Sequence, residues 1–125
     1  MLVKFSGMSP WEAGSEIISC VSEEAGYIDL HNWSDLVGLE EPSSEDGGRD
    51  FALVFRDLRG GRIFRLVFHG VTCLNLTESQ PSVPEDAGVF HAFDYLGDGK
   101  FEFEAERISG RLTASAVSLL LEPKS

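Results

Sequence analysis

From residue 51 onward, apolar and polar side chains alternate, and this two-residue period restricts the fold more than any other feature of the chain. Side chains two positions apart lie on the same face of a β-strand, so the pattern predicts strands with one buried face. The clearest cases are the segments 51–56 and 62–68, joined by a turn at DLRGG (57–61). Each segment places its apolar residues on one face: Phe51, Leu53 and Phe55 in the first, and Phe64, Leu66 and Phe68 in the second.

The same period extends the β prediction over most of the chain. Gly70 indicates a bulge or a sharp bend after the second of these strands. Further strands are expected at 71–76, 89–96, 100–107 and 112–121, the last two joined around Ser109 and Gly110, and 2–5 and 27–30 are candidates for short strands. With about six or seven strands, residues 1–125 are predicted to form one domain that is mainly β, with α+β as the alternative. The expected architecture is an antiparallel β-sandwich or a rolled sheet.

One short helix is expected near the N-terminus. Ser9 has the properties of an N-cap, Pro10 those of a first helical residue, and Glu12 completes a capping box. Apolar residues then recur at helical spacing as far as Gly26, which would end the helix. A single helical turn is also expected at 34–39.

The formal net charge of −11 limits the classes of partner. Nucleic acid and anionic membrane surfaces would be repelled, whereas a basic protein would be attracted and would associate faster. An acidic surface also serves solubility alone, and that interpretation stays open. The N-terminal residues lack the long apolar stretch of a signal peptide, so a cytoplasmic protein is expected. The sequence carries no indication of the oligomeric state.

The segment FDYLGDGKFEFEAER (93–107) concentrates carboxylates around a turn. A calcium loop starting at Asp94 would lack oxygen ligands at its third and twelfth positions, where Leu96 and Ala105 stand. A β-hairpin fits better, because GDG (97–99) tolerates the positive φ of a tight turn. Phe101 and Phe103 then face the core, while the acidic side chains face water or a cationic partner. The candidate partner-binding residues are Glu102, Glu104 and Glu106, together with Glu40, Glu41, Glu45 and Asp46 of the acidic loop 40–50.

Histidine and cysteine residues supply the alternative kind of site. His31, His69 and His91 lack the paired spacing of a zinc site, and no cofactor motif is present, so neither a metal nor a cofactor is expected. A pocket formed by Phe-rich strands around His69, His91 and Cys73 is a candidate for small-molecule binding or for nucleophilic catalysis. Cys20 and Cys73 each lie in an apolar run and are expected to be buried free thiols, with one disulfide as the alternative.

Four arginines, Arg56, Arg59, Arg62 and Arg65, cluster around the predicted turn at 57–61. One interpretation is an anion-binding tip. Internal pairing with nearby carboxylates is preferred, because an acidic chain gains most from cations placed where they relieve repulsion.

The central run RIFRLVFHGVTCLNL (62–76) consists of an apolar strand, a Gly-Val break and a second apolar strand. It resembles the central strands of small bacterial immunity proteins from polymorphic toxin systems, and of related uncharacterised families. HNWSDLVGL (31–39) is similar to the helical turn that precedes the sheet in such proteins. The resemblance implies a non-enzymatic acidic module that binds and occludes a toxin, and it transfers no catalytic residues.

Two functions are therefore expected, in order of preference. The first is a non-enzymatic acidic interaction module that binds a basic protein partner, a toxin if the resemblance holds, through the acidic residues named above. The second is a small-molecule-binding protein or an enzyme with a pocket near His69, His91 and Cys73. A flat acidic surface would favour the first, and a concave pocket lined by histidine would favour the second.

Overall fold

The structure, a computed structural model, describes residues 3–17, 19–41, 49–78, 90–105 and 108–122. These residues form twelve β-strands and contain no helix. The strands are β1 (Lys4–Ser6), β2 (Ser15–Glu16), β3 (Ser19–Ser22), β4 (Gly26–Asp29), β5 (Ser34–Glu40), β6 (Phe51–Asp57), β7 (Ile63–His69), β8 (Thr72–Glu78), β9 (Phe90–Gly97), β10 (Lys100–Ala105), β11 (Ile108–Thr113) and β12 (Ala116–Leu121).

The strands are arranged in two five-stranded sheets and one small hairpin. The first sheet has the order β1-β12-β7-β6-β5, the second has the order β2-β9-β10-β11-β8, and β3 pairs with β4. Of the pairs that the structure describes, only β1 with β12 is parallel. The prediction of a mainly β chain with antiparallel sheets is confirmed.

Aromatic rings from the two sheets meet in one core. Phe51 of the first sheet stacks on Phe103 of the second with ring centroids 6.4 Å apart, and Phe68 meets Phe101 edge to face at 5.0 Å. Contacts of this kind add to the free energy gained by burying the rings. The predicted core residues are all 1% exposed or less: Phe51, Leu53, Phe55, Phe64, Leu66, Phe68, Phe101 and Phe103.

The chain passes from the first sheet to the second at a sharp corner. β7 ends at His69 in the first sheet and β8 begins at Thr72 in the second, so the bend predicted at Gly70 lies between the two sheets. Gly70 has φ 62°, and a Cβ there would lie 2.4 Å from the Ser115 Oγ atom. Ser115 belongs to the matching bend between β11 and β12, and its backbone N–H donates to the His69 carbonyl at 2.9 Å. The connection from β7 to β8 and the connection from β11 to β12 therefore lie side by side, hydrogen-bonded to each other, where the chain passes between the sheets.

The predicted N-terminal helix is wrong. The described residues of that region form β2 and β3, and Gly14 has φ 81°, a left-handed conformation that a helix does not continue through. The ring of Trp11 packs edge to face against Phe5 at 5.0 Å and Phe101 at 6.1 Å. Burial of this ring beneath the sheets outweighs the local helix signal, since propensity is a weak preference beside tertiary packing.

Two further predictions are corrected. The helical turn at 34–39 is wrong, because these residues form β5, which pairs with β6 and buries Leu36 in the core. The single strand expected at 112–121 is divided into β11 and β12 by the corner at Ser115, and Ser109 and Gly110 lie inside β11. The strand number is accordingly twelve, above the six or seven expected.

Candidate partner-binding surface

Four acidic side chains lie together on the outer face of the second sheet. The register pairs Glu16 of β2 with Asp94 of β9, and Asp94 with Glu102 of β10, so these three form one row across adjacent strands. Glu104 lies two residues beyond Glu102 on β10 and faces the same way. We call Glu16, Asp94, Glu102 and Glu104 the acidic face.

Among the described residues, the negative charge of the acidic face is neutralised at one position. Arg111 of β11 stands opposite Glu102 and forms an ion pair with it at 2.9 Å. Glu16, Asp94 and Glu104 form no ion pair within the part of the chain that the structure describes. Like charges directly opposite each other on paired strands are destabilising. Asp94 stands between Glu16 and Glu102 in this way, so the sheet holds this row of carboxylates at a cost in stability.

A shallow groove of about 310 Å³ runs beside the acidic face. Its wall is formed by β10, β11 and the edge strand β8, and it is lined by Glu102, Glu104, Ser109, Arg111, Asn75 and Thr77 among others. The groove is mostly polar in its side chains and open to solvent. A shallow, polar and open groove is more typical of a surface that contacts another protein than of a pocket that binds a small molecule.

The outer face of the first sheet carries carboxylates that are paired with arginine. The Arg65 side chain donates to both Glu40 carboxylate oxygens at 2.9 and 3.1 Å and to Glu122 at 2.6 Å. The hydrogen bond from Arg65 holds the pKa of Glu40 below its ordinary value, and the two carboxylates raise that of Arg65. Glu41 pairs with Arg49 at 3.0 Å. Glu40 and Glu41, the two predicted loop contacts that the structure describes, are therefore engaged internally.

Three of the four clustered arginines are paired with nearby carboxylates, as the preferred interpretation predicts, and Arg62 donates to a backbone carbonyl instead. Besides Arg65, Arg56 lies 3.5 Å from Asp35 and Arg59 lies 3.1 Å from Asp57. Burial acts to raise the pKa of Asp57, but side-chain and backbone hydrogen bonds from Arg59 outweigh it and lower that pKa overall.

The predicted contact residues do not all come together. Glu102 and Glu104 lie on the acidic face, whereas Glu40 is on the outer face of the other sheet and Glu41 directly follows it. The other three predicted contacts, Glu45, Asp46 and Glu106, lie outside the described residues. Sequence reasoning missed Glu16 and Asp94. Asp94 alternates with the core residues Phe93 and Tyr95, which was a usable signal, but the position of Glu16 follows only from strand pairing.

The residues of the alternative pocket lie on strands of both sheets. His69 ends β7 in the first sheet and Cys73 lies on β8 in the second, and neither lines the groove beside the acidic face or the cleft at the end of the first sheet. The backbone of His91 is in β9, but its side chain is outside the described part. Cys20 is buried as expected, whereas Cys73 is exposed because β8 is an edge strand. Both are free thiols, so the disulfide alternative is wrong.

A larger cleft of about 760 Å³ opens at the end of the first sheet. Its charged lining has both signs: Arg59, Arg62, Glu24, Asp57 and Glu122. Arg59 is held by Asp57 and lies over the Trp33 ring at 4.8 Å, and Arg62 donates to the Glu122 carbonyl at 2.7 Å. In this cleft, Arg59 is thus held by a carboxylate and Arg62 by a backbone carbonyl.

No protein-family model matches this chain, and the searches of curated proteins and of solved structures also found no match. Within the described ranges, no helix has the length and apolarity needed to cross a membrane. The same residues contain no group of three or more His, Cys, Asp or Glu side chains placed to hold a metal ion.

Proposed function

We propose that this protein is an interaction module whose acidic face binds a basic protein. The observation that carries the proposal is the difference between the two outer faces. On the first sheet, Glu40 and Glu122 share Arg65, whereas on the second sheet Glu16, Asp94 and Glu104 form no ion pair among the described residues. Glu16, Asp94 and Glu102 thus lie side by side across three strands, where one cationic patch reaches all of them at once.

The energetics favour a cationic partner for this face. Adjacent carboxylates repel each other on a rigid sheet, and lysine or arginine side chains brought against them would remove that repulsion. Glu102 and Glu104 belong to β10, whose Phe101 and Phe103 are fully buried, so the strand that carries the carboxylates is fixed before the partner arrives. Positioning in advance lowers the entropy lost on binding.

The chemistry of the face defines the class of partner. A protein with a basic patch fits, and nucleic acid and anionic membrane do not, because the net charge of −11 repels both. The resemblance of residues 62–76 to immunity proteins of toxin systems suggests a toxin domain as this basic partner. Under this proposal, the protein neutralises its partner by covering it.

Two variants of equal net charge test the proposal. The face variant combines Asp94→Asn, Glu102→Gln and Glu104→Gln. The control variant combines Glu23→Gln, Glu24→Gln and Glu41→Gln, three exposed carboxylates away from the acidic face. Wild-type protein and both variants are immobilised, and basic proteins captured from a lysate of the source cells are quantified by mass spectrometry. The protein most depleted by the face variant is then purified for kinetic measurements.

Association rates decide the outcome. With the purified partner, wild type and control should bind about tenfold or more faster than the face variant at low salt, because steering depends on local charge. The difference should shrink at about 0.5 M salt, where charges are screened within a few ångströms. Equal rates for all three proteins would show that the acidic face only serves solubility. A partner that is toxic when expressed alone, and harmless beside the wild-type protein, would support the toxin assignment.

A further inference from the structure

His69 is hydrogen-bonded on both sides of its ring on the outer face of the first sheet. Its Nδ1 atom lies 3.1 Å from the Asp50 Oδ2 atom, and its Nε2 atom lies 2.8 Å from the Ser118 Oγ atom. A carboxylate accepts the Nδ1–H, which leaves Nε2 to accept the hydroxyl proton of Ser118. A hydroxyl, an imidazole and a carboxylate in this order form the arrangement that activates a serine nucleophile.

Three adjacent strands fix this arrangement. Phe51 pairs with Phe68, so Asp50 stands opposite His69 as β6 begins and β7 ends. His69 pairs in turn with Ala116 of β12, and Ser118 lies two residues further along the same face. The residues are 19 and 49 positions apart in sequence, and only the order β12-β7-β6 unites them. Positions on paired strands are more rigid than positions on loops.

The exposed fractions of the Asp50 and His69 side chains differ in the way that a catalytic serine site requires. The Asp50 side chain is 11% exposed and the His69 side chain 37% exposed. The orienting carboxylate is therefore shielded from water, while a substrate can reach the imidazole. Ser118 is half-buried and lies on the same outer face as His69.

We propose that Ser118 is a nucleophile for acyl transfer from small activated carboxylic esters, with His69 as the general base and Asp50 as its positioning residue. Ser118 Oγ bonds to the ester carbonyl carbon while its proton passes to His69 Nε2. The bond from that carbon to the leaving oxygen then breaks, and His69 returns the proton to the departing alcohol. Water, deprotonated by His69, next attacks the acyl group and releases the carboxylic acid and the Ser118 hydroxyl.

A hydroxyl for the developing oxyanion is available on the neighbouring strand. Ser6 of β1 pairs with Ser118 of β12 in the parallel register. Phe5 packs into the core against Trp11, so Ser6 projects from the outer face, as Ser118 does, and it is exposed. One donor of this kind supplies part of the stabilisation that a full oxyanion hole gives.

A fluorophosphonate probe tests the nucleophile directly, because it reacts with activated serines. Labelled protein is digested, and the modified serine is located by mass spectrometry. The wild-type protein should carry the adduct at Ser118, and Ser118→Ala should lose it. His69→Gln should slow labelling about a hundredfold, the scale of general-base catalysis. Ser109→Ala is the matched control, since Ser109 is a half-buried strand serine on the other sheet, and it should label at the wild-type rate.

Hydrolysis of p-nitrophenyl acetate separates positioning from structural support. Asp50→Asn should lower kcat about tenfold or more without raising KM, because Asp50 orients the imidazole and does not touch the ester. Thermal midpoints are measured for every variant; if Ser118→Ala fails to fold, His69→Gln and Asp50→Asn decide, since both retain Ser118. Wild-type protein that takes up no probe at Ser118, or labels there as fast after His69→Gln, would overturn the proposal.

Discussion

Gly110 lies directly opposite Phe103 in the pairing of β11 with β10, and a Cβ at position 110 would come within 2.6 Å of two atoms of the Phe103 ring. The ring occupies the space that a side chain would need. A glycine inside a strand weakens it, so its presence here is explained by this close approach. The same glycine was taken for a turn residue in the sequence analysis.

Replacement of Gly110 by alanine should therefore destabilise the protein. An added methyl group at this position forces the Phe103 ring to move, and overpacking of a core costs about 1–3 kcal/mol. Gly38→Ala is the matched control: it also lies inside a strand, and its Cβ would be 3.9 Å from Val54, an ordinary contact. Denaturant unfolding of both variants measures the difference. Equal stabilities would mean that the Phe103 ring has room to move.

Truncation of the Phe103 side chain tests the core itself. The ring is 1% exposed and stacks on Phe51, so Phe103→Ala should lower the free energy of unfolding by about 3–5 kcal/mol. Leu120→Ala, at a position 54% exposed on the outer face of β12, should change it by less than about 0.5 kcal/mol. A small effect at Phe103 would contradict the burial of this strand face.

The two thiols should react at very different rates. Cys73 is exposed on the edge strand, whereas burial raises the pKa of Cys20 to about 12. Only thiolate reacts, so native protein at pH 8 should release about one equivalent of chromophore from Ellman's reagent, and unfolded protein about two. The fast equivalent should vanish in Cys73→Ser and persist in Cys20→Ser. Rapid reaction of both thiols in native protein would contradict the burial of Cys20.

The Glu40–Arg65 ion pair should make stability depend on pH in acid. The folded-state pKa of Glu40 lies below its ordinary value, so its contribution is complete above the unfolded-state pKa of about 4.3 and declines as pH falls through the folded-state pKa. The Glu40 side chain is 44% exposed, so the expected contribution is only about 0.5–1 kcal/mol. Glu40→Gln should therefore lower the thermal midpoint at pH 7 and have little effect near pH 2. An equal loss at both values would assign the effect to packing.

The two-residue alternation of apolar and polar side chains allowed the strands and their buried faces to be predicted. Phe64 and Phe68 were placed in the core because the spacing of apolar residues reports directly which side chains share a strand face. The failures came where long-range packing outweighed a local signal. Ser9 and Pro10 have the form of a helix start, yet Trp11 packs in the core against Phe93 and Phe101, which lie far away in sequence.

The part of the acidic face that lies on a single strand could be predicted from the sequence. Glu102 and Glu104 follow from alternation within β10, but their neighbours Asp94 and Glu16 depend on the register of three strands. The hydrogen bonds of His69 to Asp50 and Ser118 likewise depend on strand pairing. The sequence singled out His69 as a candidate, but neither of its partners, because pairing across β6, β7 and β12 leaves no trace in any local pattern.

The order of strands in the first sheet has a consequence for biosynthesis. β12 lies between β1 and β7, although it comes last of the twelve strands in the chain. As the polypeptide emerges from the ribosome, β1 has no partner in this sheet, and one side of β7 stays open, until residues 116–121 are available. The nascent chain therefore presents an unpaired strand edge until late in synthesis, a state prone to aggregation. Completion of the sheet must await one of the longest loop closures in the molecule, which slows folding.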